Sequence, residues 1–414
     1  MRKKPPSSFK VFIKSVLITV FLLATVGVLA FAAYEIVRYG NPQTLTTWLD
    51  RFQETEASHE PAALIHETTP EEYTPIEPEP ITYDPPEEIP HIPIPFPDPE
   101  PDEEPYIPNP IVTLTLTAVG DTTLGGDSRW AGYGAFMREF ENSGRDHSHF
   151  MRNVAHIFDQ SCITIANLEG TLTYATEHLD KPFVFRGPPH FAQILTAGNI
   201  CTVTISNNHT IDFFERGMND TRAALTEHGV TYFGNEFNTI KEVNGIYVGM
   251  FGLRIWHGGA DNRNRIRAAI TDLQNRGAQL IVAYYHWGVE RNNHPEQYQI
   301  NIGRYSIRNG VDLVLGAHPH VIQGIEEYMG SLIVYSLANF CFGGNANPPD
   351  QDSFIFQQTF SFYNGQLQPG VDKNIIPVFV SSVRGRNDFV PTVAEGADGE
   401  RILGRIERYS ERLR

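Results

Sequence analysis

Residues near the end of the predicted folded region read Val311-Asp312-Leu313-Val314-Leu315-Gly316-Ala317-His318-Pro319-His320. The apolar run Val311–Leu315 predicts a β-strand. Because His318 and His320 follow it two residues apart, we expect both imidazoles to lie on the same face of a pleated backbone. Two imidazoles aimed at one point can share or bracket a metal ion. The pair alone does not establish a metal site, because a hydrogen-bonded loop can carry the same two residues.

Strand-like and helix-like stretches alternate on the N-terminal side of this motif. The strand-like runs are Ile111–Val119, Cys162–Ala166, Ile200–Ile205, Ile246–Gly252, Leu280–Tyr285 and, after the motif, Leu332–Tyr335. The helix-like stretches are His149–Asp159, Phe191–Ala197, Glu215–His228, Arg265–Asn275 and Glu296–Asn309. The alternation predicts an α/β fold, and the β-rich runs Phe354–Phe362 and Ile375–Val383 make it a two-sheet α/β sandwich over residues 111–395. The charged tail, residues 396–414, is predicted to form a short surface helix.

Four further predicted strands are also followed by polar residues that can ligate a metal. In chain order these residues are Asp121, Glu169, Asn208 with His209, and His286. Ligands of open α/β sheets bind at the carboxyl ends of the strands, so we expect the five clusters to converge on one crevice. Oxygen and imidazole donors together suit Mn, Fe or Zn, and a carboxylate could bridge two such ions.

Each of these residues also has a purely structural interpretation. Asp121 could cap the next turn, and Asn208 could hold a tight loop. His286 could be a hydrogen-bonded core histidine. Trp287, which follows it, could stack on a substrate, although packing in the core is the favoured interpretation. The crevice hypothesis therefore depends on five clusters occurring together at strand ends.

The net charge of −17 belongs almost entirely to one segment. Sixteen acidic residues and no Lys or Arg lie between Glu54 and Glu104, which leaves −1 for the remainder. Sixteen of the 29 prolines fall between Pro61 and Pro110. Such a composition predicts a disordered or extended stalk, assigned to residues 35–110. No basic stripe indicates nucleic-acid binding, and the three cysteines form no disulfide or zinc pattern.

A membrane anchor is predicted before the stalk. Ser15–Tyr34 is uncharged and mostly apolar, about 20 residues long, which is enough to cross a bilayer. The basic residues lie in the preceding tail, residues 1–14, so the positive-inside rule places the N-terminus in the cytoplasm and the main domain outside the cell. The alternative is a cleaved signal peptide, because Ala30-Phe31-Ala32 fits a cleavage site.

Six motifs around the polar clusters occur in a fixed order. They are Gly120-Asp121, Asn167-Leu168-Glu169, Ser206-Asn207-Asn208-His209-Thr210-Ile211-Asp212, His286-Trp287-Gly288-x-Glu290, Gly316-Ala317-His318-Pro319-His320 and Tyr335-Ser336-Leu337-Ala338-Asn339-Phe340. They resemble the CapA-type poly-γ-glutamate capsule biosynthesis family, and the resemblance runs from about Leu114 to Phe342. The linking segment Lys181–Arg186 and the N-terminal anchor arrangement also look like that family.

That family is in turn similar to calcineurin-like metallophosphoesterases, which implies a metallophosphoesterase-like domain here. The resemblance makes His209 the general acid, a role that the titration range of imidazole allows. It also implies six metal ligands: Asp121 on one ion, Glu169 bridging two, Asn208 and His286 on the second, and His318 and His320 completing both spheres.

Two departures from the metallophosphoesterase pattern bear on the site. The usual Asp-x-His opening here reads Asp121-Thr122-Thr123, so one imidazole ligand is absent. The bridging residue is Glu169 where an Asp is usual. Both leave open whether the site holds one ion or two, and both argue against ordinary phosphoester hydrolysis. Ala317 and Ala338 are smaller departures from the CapA pattern, and neither removes a ligand.

Three functions are compatible with this sequence. The first is a membrane-anchored, outward-facing protein that makes, exports or anchors poly-γ-glutamate or a similar anionic polymer, with a metal-dependent domain that hydrolyses or transfers amide or ester bonds. Its partners would be the cytoplasmic membrane, the polymer and membrane synthase subunits. The second is a non-catalytic scaffold that binds the polymer, and the third is an exported metallophosphoesterase. Arg186 is the candidate for binding an anionic substrate group, with a surface position over apolar area as the alternative.

Overall fold

The structure, a computed structural model, describes residues 110–159, 161 and 163–413. The predicted basic tail, the anchor at residues 15–34 and nearly all of the stalk lie outside these residues. Among the residues that are described, no helix is both long and apolar enough to cross a membrane.

Seventeen strands and seven α-helices make up the described part of the chain. The strands are β1 (Val112–Thr123), β2 (Ile163–Leu168), β3 (Thr171–Leu172), β4 (Arg186–Gly187), β5 (Thr202–Thr204), β6 (Thr231–Phe233), β7 (Thr239–Val243), β8 (Ile246–Ile255), β9 (Leu280–Trp287), β10 (Leu313–Ala317), β11 (Ile325–Tyr328), β12 (Ser331–Val334), β13 (Asn339–Phe342), β14 (Asp352–Tyr363), β15 (Gln366–Leu367), β16 (Asp372–Phe379) and β17 (Thr392–Val393). The helices are α1 (Ala131–Asn142), α2 (Ala155–Phe158), α3 (Ala192–Ala197), α4 (Phe214–Glu227), α5 (Ala260–Asn275), α6 (Gln297–Arg308) and α7 (Gly396–Glu411).

The strands form two large mixed sheets and one small one. The nine-stranded sheet has the order β17-β16-β14-β1-β2-β5-β6, with β13 paired to β1 and β15 paired to β14. The six-stranded sheet has the order β11-β12-β10-β9-β8-β7. β1, β2, β5 and β6 are parallel in the first sheet, and β8, β9, β10 and β12 are parallel in the second. The α/β class and the two-sheet arrangement predicted from the sequence are confirmed.

Apolar residues form three layers around these sheets. The middle layer holds buried residues of both sheets, such as Leu116 and Ile165 from one and Val248 and Val282 from the other. A second layer packs α1, α3 and α4 against the outer face of the nine-stranded sheet, and a third packs α5 and α6 against the outer face of the six-stranded sheet. The two sheets are therefore sandwiched face to face with helices outside each.

The C-terminal helix α7 is part of this packing. Ile402 and Ile406 are buried in the layer between the sheets. On the same helix, Arg401 and Arg405 form ion pairs with Asp352 at the start of β14. The helix predicted for residues 396–414 is thus amphipathic, with one face in the core and charged residues beside it.

Strand register brings the functional residues to one edge. Asp121 of β1 lies beside Asn167 of β2, and His286 of β9 lies beside Ala317 of β10. The backbone makes close approaches here that exclude side chains: a Cβ on Gly120 would lie 1.9 Å from the carbonyl oxygen of Ala338. The two parallel sets therefore end at a common crevice between the sheets.

Candidate metal centre

The crevice takes its polar side chains from both sheets. The nine-stranded sheet supplies Asp121 in β1, Glu169 directly after β2, and Asn208 with His209 in the loop after β5. The six-stranded sheet supplies His286 in β9 and the two histidines after β10. The structure brings all six predicted ligands and His209 together, while their roles as ligands and general acid stay predictions.

His318 and His320 converge for a different reason from the one expected. β10 ends at Ala317, and both histidines have left-handed backbones, with φ of 98° and 57°. The same-face argument from a pleated strand was therefore wrong. Their ring centroids lie 5.9 Å apart because a tight turn through Pro319 carries them. Left-handed backbone at residues other than Gly is costly and is often found at functional sites.

Asp121 connects the two sheets at the base of the crevice. It is fully buried, and its Oδ1 accepts a hydrogen bond from Asn167 Nδ2 at 2.8 Å. Its Oδ2 accepts the backbone N–H of His318 at 3.2 Å and lies 3.1 Å from His320 Nδ1. This carboxylate holds the histidine turn of one sheet against a strand end of the other.

The carboxylate of Glu169 is fully buried. Neither of its oxygens has a hydrogen-bond partner among the described residues. Imidazole nitrogens of His286, His209 and His320 lie 3.7, 3.9 and 4.0 Å from its oxygens. Burial, together with the charge of Asp121, raises the pKa of Glu169 well above its ordinary value. Burying a carboxylate in this way is unfavourable unless another group compensates it.

The spacing around Glu169 fits a metal ion. Two ligand atoms that are each about 2.1 Å from one ion lie about 3.4 Å apart in a tetrahedral site. Three sets of ligand atoms in the described residues lie within 4.8 Å of one another: Glu169, His286 and His318; Asp121, Glu169 and His320; and Glu290, His318 and His320. Two of these sets share Glu169, which fits a carboxylate between two ions.

Glu290 was not predicted as a ligand, although it is part of the motif that begins at His286. It is exposed at the rim of the crevice. Its position four residues after His286 was the signal in the sequence. Thr123, where an imidazole is absent, donates a hydrogen bond to the carbonyl oxygen of Glu169 at 2.8 Å. This hydrogen bond from Thr123 positions the backbone at the end of β2.

The histidine pKa values follow from burial and from their neighbours. Burial lowers the pKa of His286 well below its ordinary value, and His318 and His320 add to the effect. Burial and the nearby His320 lower the pKa of His318 to about 4. Burial opposes charge on His320 too, but the carboxylates of Glu169 and Asp121 raise its pKa to about 10. Neutral imidazole is the form that binds metals. His286 and His318 are already neutral, whereas His320 must release its proton when it binds an ion.

Asn208 lies against His286, because its Oδ1 is 2.7 Å from His286 Nε2. The other ring nitrogen of His286 lies 3.2 Å from Asn167 Nδ2. Asn167 therefore contacts both His286 and Asp121, a positioning contact that was not predicted from the sequence. Residues behind metal ligands commonly fix ligand orientation in this way.

His209 is held by a buried carboxylate. Its Nδ1 lies 2.6 Å from Asp212 Oδ2, and the ring stacks on Phe185 with centroids 4.0 Å apart. Lys181 Nζ lies 2.5 Å from the other oxygen of Asp212 and donates to the carbonyl oxygen of Asn208. Burial lowers the pKa of His209 although Asp212 opposes the change. With Nδ1 donating to Asp212, Nε2 is left to exchange a proton in the crevice.

Arg186 is not one of the residues that line the cleft at His209 and His320. Its guanidinium donates to the carbonyl oxygen of Ala175 and lies over the ring of Phe213, 5.3 Å from the centroid. Its substrate-binding role stays a prediction. Trp287 is fully buried and donates its indole N–H to the carbonyl oxygen of Tyr335. Core packing, the favoured interpretation of Trp287, is what the structure shows.

A cleft with a volume of about 160 Å³ opens from His209 and His320 to solvent. One part of its wall is apolar, formed by Phe183, Phe185, Val321, Phe342, Pro348 and Pro349. The polar part is formed by His209, Glu290, Arg291, His320, Asn339, Asn345 and Asp350. The candidate metal centre is therefore accessible to a ligand that has both apolar and charged parts.

Comparison with known proteins gives one family match. The profile described as "Bacterial capsule synthesis protein PGA_cap" matches residues 115–344, a range that contains all seven residues assigned to the centre. "PGA biosynthesis protein CapA" of Bacillus subtilis (strain 168) is 27% identical over 210 residues, 46% of this chain and 55% of the relative.

Two further relatives carry similar names. "Capsule biosynthesis protein CapA" of Bacillus anthracis is 25% identical over 256 residues, 55% of this chain and 60% of the relative. "Probable polyglutamine synthesis accessory protein" of Mycobacterium tuberculosis is 23% identical over 286 residues, 61% of this chain and 73% of the relative. The chain thus spans 55–60% of the length of the two Bacillus relatives.

Proposed function

The chain belongs to the bacterial capsule synthesis protein family PGA_cap, and on this premise we propose that it acts in the synthesis, export or anchoring of poly-γ-glutamate or a similar anionic capsule polymer. The resemblance to CapA-type proteins seen in the six motifs is confirmed. The proposed activity is metal-dependent hydrolysis or transfer of an amide or ester bond.

The observation that carries this proposal is the environment of Glu169. This buried carboxylate accepts no hydrogen bond from any described residue, is shared by two sets of potential ligands, and lies beside His209 and His320, which line an open cleft. A core built only for stability would pair such a group or replace it with an apolar one. The arrangement fits a site for one or two divalent ions of Mn, Fe or Zn.

The proposed roles follow from position. Asp121, Glu169, Asn208, His286, His318 and His320 would hold the metal, with Glu290 available at the rim. A bound divalent ion would polarise a carbonyl or phosphoryl oxygen and lower the pKa of water. His209 would accept at Nε2 the proton that the attacking water loses and deliver it to the leaving group, while Asp212 holds Nδ1 and fixes the ring. Phe185, stacked on His209, excludes water from one face of the imidazole.

The location of the reaction is also a proposal. A span at residues 15–34 and a stalk at residues 35–110 would hold the domain outside the cytoplasmic membrane. The composition of these segments supports that arrangement. Membrane synthase subunits and the nascent polymer would then be the partners, because an exported polymer emerges at that surface.

The test uses the full chain in detergent, loaded with Mn²⁺ and incubated with a γ-linked glutamate oligomer. Mass spectrometry should find shortened or transferred products. His209→Gln should keep the metal and reduce the rate by about 10²-fold or more. His156→Gln, at an exposed histidine of α2, is the matched control and should not change the rate.

Two other outcomes point to the alternatives. Binding of the oligomer without turnover, in protein that holds metal, would replace the enzyme with a non-catalytic scaffold. Turnover of a simple phosphomonoester without turnover of the oligomer would make the protein an exported metallophosphoesterase. The absence of an imidazole at Thr123 argues against that last function.

A further inference from the structure

Among the described residues that line the cleft, Arg291 is the only Lys or Arg. The acidic residues of the lining are Glu290 and Asp350. The carboxylate of Asp350 already forms an ion pair with Arg405 of α7, at 2.7 Å. Glu290 belongs to one of the potential metal-ligand sets. Within this lining, Arg291 is therefore the guanidinium that a negatively charged ligand would meet.

The backbone attaches Arg291 to the histidine turn. Its N–H donates a hydrogen bond to the carbonyl oxygen of Pro319 at 2.8 Å, between His318 and His320. Its φ is +63°, a left-handed conformation that costs a residue other than Gly or Asn of the order of 1 kcal/mol. The position of this residue is thus tied to that of two proposed metal ligands.

The side chain of Arg291 is exposed, and no described residue forms a hydrogen bond or ion pair with its guanidinium. Arg186, the arginine predicted from the sequence to bind the substrate, differs in this respect, since its guanidinium contacts Ala175 and Phe213. A guanidinium offers a planar pair of donors that matches a carboxylate or phosphate. Arg291 has this capacity uncommitted, within the cleft.

The cleft wall near Arg291 fits the rest of a γ-glutamyl chain. Each γ-amide nitrogen in such a polymer is bonded to the carbon that bears a free carboxylate, and two methylenes separate that carbon from the next amide. Phe183, Phe342 and Pro348 give the cleft an apolar surface for methylenes. The carboxylate beside each amide would face the polar part of the cleft wall, and the two methylenes would face the apolar part.

We propose that Arg291 binds the free carboxylate next to the amide that lies at the metal centre, and so selects γ-linked glutamyl chains. This inference rests on the proposed function, since it names the substrate group that the cleft recognises. Arg291 acts as a substrate-binding residue and is not a metal ligand. Phosphate offers the guanidinium the same chemistry, so the test must separate the two anions.

The test measures the affinity of the Mn²⁺-loaded full chain for a γ-linked glutamate hexamer by calorimetry. Every protein in it carries His209→Gln, which slows turnover of the hexamer, and the chain with that change alone is the wild-type reference. Arg291→Gln should bind the hexamer on the order of tenfold more weakly, as expected for loss of a charge-assisted hydrogen bond. Arg291→Lys should retain part of the affinity. Arg276→Gln is the matched control, because Arg276 is exposed and follows α5, just before the amino end of β9. Its affinity should equal that of wild type.

A neutral probe separates recognition from a structural effect. The hexamer with its free carboxylates converted to carboxamides should bind wild type and Arg291→Gln equally weakly. Metal content should be the same in all four proteins. Equal affinity of wild type and Arg291→Gln for the charged hexamer would overturn the role of Arg291 alone.

Two further outcomes would also overturn the inference. If Arg291→Gln weakened binding of phenyl phosphate but not of the hexamer, the anion recognised would be phosphate. If metal-loaded wild type failed to bind the charged hexamer, the proposed function and the substrate named here would both be wrong.

Discussion

The stability of the domain should depend on pH through Asp312, the residue that precedes the strand leading to His318. Asp312 Oδ2 accepts a hydrogen bond from the backbone N–H of Ile281 at 2.7 Å. Burial raises the pKa of Asp312 from 3.8 to about 6, although that hydrogen bond opposes the shift. The folded protein therefore holds a proton here that the unfolded chain releases between about pH 4 and pH 6.

The sign and size of the effect follow from this difference. A raised carboxyl pKa makes the folded state bind more protons, so the free energy of unfolding falls as pH rises through that range. A difference of about 2 units corresponds to about 3 kcal/mol once pH exceeds the folded pKa. Asp312→Asn removes the ionisation and keeps an acceptor for the Ile281 N–H. It should match wild type near pH 4 and exceed it by up to about 3 kcal/mol at pH 7.5.

Urea unfolding of the full chain at pH 4, 6 and 7.5 measures this difference. Asp372→Asn serves as the control, because Asp372 is exposed on β16. Its stability should change in parallel with that of wild type. An Asp312→Asn protein that shows the same pH dependence as wild type, or is less stable at pH 7.5, would refute the burial argument.

Two other predictions concern packing around the site. Gly120→Ala should lower the free energy of unfolding by about 4 kcal/mol or more, since its Cβ would overlap the carbonyl oxygen of Ala338. Gly404→Ala, at an exposed position of α7 with open space around the new Cβ, should raise it by about 0.5–1 kcal/mol. Thermal unfolding compares the two variants, and similar shifts would contradict the reasoning. Arg405→Ala should lower the free energy of unfolding by about 3 kcal/mol, because it leaves the buried Asp352 with one partner fewer. Arg408→Ala, at an exposed position of the same helix, should change that free energy by no more than about 0.5 kcal/mol. Equal denaturation midpoints for the two arginine variants would show that the ion pairs do not fix α7.

The fold class could be predicted because the strands are apolar and regularly spaced. The apolar runs predicted β9 and β10, and the structure extends each of them by two residues toward the site. Helix α1 was not predicted, since Gly132 and Gly134 weaken its helix propensity. Its formation depends on tertiary packing of Phe136 and Phe140 in the layer outside the nine-stranded sheet.

The candidate site could be predicted as a set of residues but not as a geometry. Strand ends showed which side chains should meet, because carboxyl ends of parallel strands share an edge. The left-handed turn at His318 depends on contacts with Asp121 in the other sheet, which a local pattern does not contain. Arg291 was missed for a related reason: its place in the cleft is set by a backbone hydrogen bond to Pro319, far along the chain.

The central claim is that the crevice between the two sheets binds a divalent transition metal. Elemental analysis of the full chain, after loading with Mn²⁺ or Zn²⁺ and removal of free ions, tests it most directly. We expect one or two ions per chain in wild type and in the control His156→Ala. The double variant His318→Ala plus His320→Ala should retain clearly less metal while keeping its folded circular dichroism spectrum. Equal metal content in wild type and the double variant, or none in either, would contradict the account.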